Sequence, residues 1–168
     1  MLDPLDKGFI MMTGTEVVTL TTGRAGPRTG ELTVAAAQPV VVPGDVAENL
    51  RRMEPMVAEA TQRGAAMVVF SEDGLTGYDH GGRGVAAAIS ADGPEIQQMA
   101  KLAQAHDVVL VNGFFEKNGE AVYNAAIAIA PDGQRIIQRK FHVTDIEKSH
   151  GVKPGPAERA LFSVNGIT

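Results

Sequence analysis

The run Met67-Val68-Val69-Phe70 is short, wholly apolar and rich in β-branched residues, and it stops at Ser71-Glu72-Asp73-Gly74. An apolar run with no alternation is the pattern of a strand buried on both faces. An acidic residue at its end, followed at once by a glycine-containing loop, delivers a carboxylate to the rim of a sheet. In α/β proteins sites form at such rims. The alternative is a plain strand end with Glu72 in solvent, and spacing alone does not separate the two. A second run, Gln138-Arg139-Lys140-Phe141-His142, delivers a lysine in the same manner.

The segments around these two runs predict an α/β chain. Leu32 to Gln38 reads as a first buried strand, closed by Pro39. Asp45 is placed as a helix N-cap, with Glu48 three residues on to complete a capping box. Val46, Leu50, Met53, Val57 and Ala60 make one apolar helical face, and Gly64 suits the C-terminal cap. Pro55 falls inside this helix, so a kink is expected near 51–55. Strand, helix and the Glu72 strand then form a right-handed parallel unit. Asp92-Gly93-Pro94 opens a second helix with Ile96, Met99, Ala100, Ala103 and His106 inward. Strands at 108–115, 122–130 and 135–140, joined by turns at Lys117-Asn118-Gly119-Glu120 and Pro131-Asp132-Gly133, predict an antiparallel meander. Past Lys140 the chain reads as polar and irregular, and Ala160 to Val164 as a last short strand. Residues 1–31 are broken by glycines and read as a flexible N-terminal extension, in which only Glu16 to Thr22 is β-prone. Residues 32–168 form the domain.

Composition excludes several functions. The net charge is −5, with no cluster of Lys and Arg, so no nucleic-acid or anionic-membrane partner is expected. No apolar run approaches the roughly 18–20 residues that a transmembrane helix needs. Asp3 and Asp6 are wrong for a secretory signal. The chain has 168 residues and no cysteine, which rules out disulfides and a thiolate nucleophile of its own and suits a cytoplasmic protein. The glycine-rich Asp79-His80-Gly81-Gly82-Arg83-Gly84 lacks the Walker pattern, so a mobile loop over a site is preferred to a phosphate cradle. His142, Asp145, Glu147 and His150 fit no standard zinc spacing, and neither a metal nor a cofactor is expected.

A strand-end glutamate in F-x-E-x-x-L-T-G-Y (Phe70 to Tyr78) followed by a lysine in R-K-x-H (Arg139 to His142) resembles the nitrilase, or carbon–nitrogen hydrolase, superfamily. The resemblance runs from about Leu32 to the end of the chain. It implies a four-layer α-β-β-α sandwich with a mixed sheet, of which this chain is the first part. It also implies hydrolysis of a small-molecule amide or nitrile by a Glu-Lys-Cys site. Glu72 matches the general base, Lys140 the catalytic lysine, and Glu147 a second glutamate that orders the site. Ser71 replaces the usual proline before the glutamate. Tyr123-Asn124-Ala125 matches the strand before the lysine hairpin. Leu161 to Gly166 resembles the segment that leads to the family's cysteine, so the chain is expected to stop just short of its nucleophile and to be inactive alone. A non-catalytic binding or assembly module and a truncated product without a role of its own are the alternatives. Half a sandwich exposes an apolar sheet face, so a homo-oligomer is expected.

Overall fold

The structure, a computed structural model, describes residues 17–22 (backbone only), 32–161, 163 and 164. The expected α/β order is present: β1 (Val17–Thr22), β2 (Leu32–Ala37), α1 (Val46–Gln62), β3 (Met67–Val69), α2 (Arg83–Ala86), α3 (Pro94–His106), β4 (Val109–Asn118), β5 (Ala121–Ile129), β6 (Arg135–Arg139), α4 (Asp145–Ser149) and β7 (Val152–Lys153). One mixed sheet runs in the order β1-β2-β3-β4-β5-β6, with β7 added beside β5. The pairs β2–β3 and β3–β4 are parallel, whereas β4–β5 and β5–β6 are antiparallel. The parallel unit and the meander are therefore halves of one sheet.

The two long helices form where their sequence directs. The Asp45 side chain caps α1 by accepting from the Glu48 amide at 3.0 Å. Glu48 does not complete the box. Its carboxylate is taken by Arg51 and Arg52, one turn on. α1 continues through Pro55 as one helix. Leu50, Met53, Met56, Val57 and Ala60 are buried along its inner stripe. α3 starts with Pro94 at its first turn and buries Ile96, Met99 and Ala103. The two helices cover one face of the sheet, where Ala35, Val68, Leu110, Phe114 and Ile127 complete a single apolar cluster. Two-residue periodicity puts Val69, Val111, Ala126 and Ala128 on the opposite face, outside that cluster. No described helix is long and apolar enough to cross a membrane.

Several segments depart from expectation. The β-prone stretch inside the 1–31 extension forms β1 and pairs antiparallel with β2; the remainder of the extension lies outside the described residues. The polar stretch after Lys140 is a helical turn, α4, with a full capping box between Thr144 and Glu147. The glycine-rich loop is a packed turn. The Asp79 carboxylate accepts from the amide of Arg83 at 2.8 Å and from its guanidinium at 2.9 Å. A phosphate would have to displace that carboxylate. Ala160, Leu161 and Ser163 form no strand, and only Val164 makes a bridge. Val152-Lys153 occupies the free edge of β5 instead, at Val122 and Tyr123.

One contact between strands bears on the site. A side chain at Gly113 of β4 would come within 2.9 Å of the Glu72 Cα. Gly113→Ala is expected to destabilise the chain by about 1–3 kcal/mol, because the overpacked turn must move. Urea unfolding measures the loss, and an unchanged midpoint would show that the turn has room.

Candidate active site

The Glu72 turn is tied down from several sides. The Leu75 amide donates to the Gly113 carbonyl at 3.0 Å, and the Gly77 amide donates to the Asp73 carbonyl. The Phe115 amide donates to the Thr76 hydroxyl at 2.9 Å. From α1, the Asn49 side chain donates to the Leu75 carbonyl at 2.9 Å. Asp73 takes a positive φ of 52°, which an aspartate tolerates better than most residues. The result is a rigid, largely buried loop from which Glu72 projects with its side chain 61% exposed.

Lys140 arrives from the other half of the sheet. Its amide extends the β5–β6 ladder by donating to the Asn124 carbonyl at 2.8 Å. Next to it, Arg139 is fixed by a bidentate pair with the buried Glu116 and lies over the Tyr123 ring, 4.3 Å from its centroid. The lysine ammonium donates to Glu72 Oε1 at 2.8 Å and to Glu147 Oε1 at 3.1 Å. Glu147 is 1% exposed and belongs to the capping box of α4, where its Oε2 accepts from the Thr144 amide at 2.7 Å. The three residues singled out by sequence, Glu72, Lys140 and Glu147, thus meet at one point.

Asn124 binds them together. Its side-chain nitrogen lies 2.6 Å from Glu147 Oε1, 2.9 Å from Glu72 Oε1 and 3.1 Å from Asp73 Oδ2. Asn124 and Asp73 are the parts of the site that the sequence reading did not single out. Asn124 lay in the matched Tyr123-Asn124-Ala125 but passed as a strand residue. A buried amide inside the otherwise apolar AVYNAAIAI run was the available signal. Asp73 is fully buried, and its Oδ1 has no hydrogen-bond partner among the described residues.

The electrostatics follow from one ammonium serving several carboxyls. Burial, then the charges of Glu72 and Glu147, push the Asp73 carboxyl up to about 7, against the opposing pull of Lys140 and the Asn124 hydrogen bond. Burial would also raise Glu147, but hydrogen bonds from Asn124, Thr144 and Lys140 outweigh it and hold its carboxyl below the usual range. Burial would lower Lys140, but bonding to Glu72 and Glu147 prevails and raises it. Glu147 is therefore the site's fixed anion and Lys140 its fixed cation. The exposed Glu72 opens onto a cavity of about 370 Å³ that Lys140, Asn124, Val69, Val111 and Ala126 also line. A small organic molecule fits that volume. The arrangement offers an accessible carboxylate to accept a proton and an ammonium to meet a developing negative charge.

The other polar residues after Lys140 are engaged elsewhere. Asp145 pairs with Lys148, His150 contacts the His80 carbonyl, and the His142 ring packs edge-on against Phe141.

Comparison with known proteins shows what the chain as a whole is similar to. Nitrilase 3 of Arabidopsis thaliana is 33% identical over 134 residues, which is 68% of this chain and 39% of that protein. The aliphatic nitrilase of Rhodococcus rhodochrous is 29% identical over 136 residues, 72% of this chain and 37% of that protein. The chain thus spans well under half the length of these relatives. Among solved structures, the NitN amidase from Neterenkonia sp. AN1 superposes with a TM-score of 0.70 at 20% identity, covering 80% of this chain and 54% of that one. An N-terminal amidase superposes with a TM-score of 0.64 at 21% identity, covering 74% and 31%. These likenesses establish a nitrilase-like fold. The model of the carbon–nitrogen hydrolase family matches residues 33–166, and the chain belongs to that family.

Proposed function

We propose that this chain carries the general base and the oxyanion-stabilising lysine of a hydrolase acting on the carbon–nitrogen bond of a small amide or nitrile. The observation that carries the reading is the 2.8 Å contact between Lys140 Nζ and Glu72 Oε1 at the mouth of the cavity. In this reading Glu72 takes the proton from an attacking nucleophile, and Lys140 faces the negative charge that then develops on the substrate. Glu147 keeps Lys140 charged and aimed. Both roles need a nucleophile, which in the resembled family is a cysteine thiolate, and the chain has no cysteine. It therefore holds the acid–base pair of the site and supplies no thiol of its own. The absence of cysteine also favours a second reading, a non-catalytic module that keeps the pocket for binding or assembly. A cytoplasmic location is consistent with that composition.

The sheet face opposite α1 and α3 supports self-association. Val69, Val111 and Ala128 are half-buried and Ala126 is exposed there, with no helix among the described residues packed over them. A homo-oligomer buries this face, and sedimentation is expected to show dimers or larger species; a well-dispersed monomer counts against it.

Two further outcomes test the catalytic reading. Purified 1–168 is expected to turn over neither amides nor nitriles, and hydrolysis that Glu72→Gln abolishes would overturn the half-site assignment. The second concerns acid stability. The folded-state pKa of Glu147 is lowered from 4.5, so its contribution is fully present above that value and is lost as pH falls through the lower folded value. Glu147→Gln keeps the capping geometry but removes the anion. It is expected to cost about 1–3 kcal/mol at neutral pH and to flatten the loss of stability below pH 4.5. Acid titration of both proteins by circular dichroism measures this.

A further inference from the structure

Three carboxyls, of Glu72, Asp73 and Glu147, converge on the two hydrogens of the Asn124 amide and the single ammonium of Lys140. Two hydrogens cannot serve three anionic oxygens equally. The distances rank them, with Glu147 nearest at 2.6 Å, Glu72 at 2.9 Å and Asp73 last at 3.1 Å. Lys140 contacts the first two and makes no hydrogen bond to Asp73. Asp73 is the most enclosed of the three, and its Oδ1 faces no donor. An ionised carboxylate with a bare buried oxygen is strongly disfavoured, whereas the neutral acid, though its hydroxyl too is unpaired, costs far less.

We propose that Asp73 is a positioning residue held as a neutral acid, the weakest acceptor on Asn124, and that its ionisation draws the amide away from Glu72 and Glu147. While Asp73 is neutral, its proton resides on Oδ1 and its Oδ2 accepts weakly. The amide hydrogens then stay with Glu72 and Glu147, and both remain aligned on Lys140. Once ionised, Asp73 competes for the same hydrogens through a charge-assisted bond and adds a third negative charge beside one cation. The groups facing it are Glu72 from its own turn, Asn124 from β5, Lys140 from the end of β6 and Glu147 from α4. β4 presents the Gly113 backbone to Asp73 and the uncharged Asn112 side chain to the neighbouring Gly74. The inference rests on the reading of Glu72 and Lys140 as an acid–base pair, but its readouts are ionisations and need no turnover.

The sign is set by the raised carboxyl, 3.8 when unperturbed and about 7 in the folded chain. Stability from the neutral acid is fully present below 3.8 and is lost as pH rises to the folded value. Urea unfolding of the whole chain between pH 5 and 8 is the test. One proton changes the unfolding constant by about tenfold per pH unit. The constant is therefore expected to rise by up to about a hundredfold from pH 5 to 7 and to level off above. Asp73→Asn mimics the neutral acid, tolerates the same backbone conformation and is expected to abolish that rise. The Asn124 side-chain amide resonances are expected to shift with the same midpoint in the natural chain and to stay fixed in Asp73→Asn. Equal slopes in the two proteins, or Asn124 signals that ignore the transition, overturn the proposal. Should Asp73→Asn fail to fold, carbon-13 titration of the aspartate carboxyls in the natural chain decides. One carboxyl with a midpoint near 7 supports the assignment, and none above 5 overturns it. Failure of a hydrolase assay bears on the proposed function alone.

Discussion

The site depends on one ammonium ion shared between two carboxylates of unequal exposure. Lys140 Nζ touches Glu147, which is almost wholly buried, and Glu72, which is more than half exposed. A buried carboxylate beside nothing but apolar atoms would take up a proton. Glu147 remains an anion because the ammonium, the Asn124 amide and the Thr144 amide all bond to it. Lys140 remains a cation because two carboxylates outweigh the cost of its partial burial. Each charge is thus the condition for the other, and Glu72 is the member of the set left free to face solvent and the cavity.

Strand spacing makes this convergence a geometric problem. β3 and β6 are separated by β4 and β5, so their ends lie about 14 Å apart at the usual spacing of some 4.8 Å between strands. Two side chains reaching across the surface of a sheet would be hindered by whatever β4 and β5 place between them. Gly113 resolves half of the problem, since a bare backbone lets the Glu72 turn lie directly against β4 and lean toward β5. Asn124 resolves the other half: it stands on β5 between the partners and donates to both glutamates. Arg139, clamped to Glu116 and stacked on Tyr123, holds the β6 end in register so that the lysine beside it has one place to go.

Much of this could be read in the sequence, for identifiable reasons. α1 carried apolar periodicity and cap signals at both ends, α3 carried periodicity and a proline at its first turn, and the meander carried two turn signals, so those elements fall close to where the residues put them. Glu72 and Lys140 showed themselves as charges ending apolar runs. What stayed hidden depends on partners remote in sequence. Asp73 is a buried acid only because Asn124, 51 residues away, and the apolar rim enclose it. On the page it is one more acid in a loop. α4 is five residues long, too short for periodicity, and its Thr144-x-x-Glu147 signature was overshadowed by the polar composition around it. The segment at 160–164 has strand propensity, yet the Ala160 amide is taken by the Gln138 side chain rather than by a strand backbone, and among its described residues only Val164 makes a bridge.

The two faces of the sheet divide the labour of the molecule. One face is closed by α1 and α3 and supplies the apolar cluster that holds the strands in register. The other bears the cavity, and Glu72 and Lys140 open at its border beside Val69, Val111 and Ala126. Any group that reaches Glu72 from the cavity approaches over this second face, because the first is filled. The same face carries the apolar residues that favour burial against another layer of protein. Whatever packs there changes the water content and dielectric around Lys140 and the Glu72 carboxylate, and with them the strength of every charge interaction in the site. The apolar residues and the charged cluster therefore share one face, and a layer that covers the sheet also sets how strongly the Glu72 carboxylate and the Lys140 ammonium interact beside the cavity.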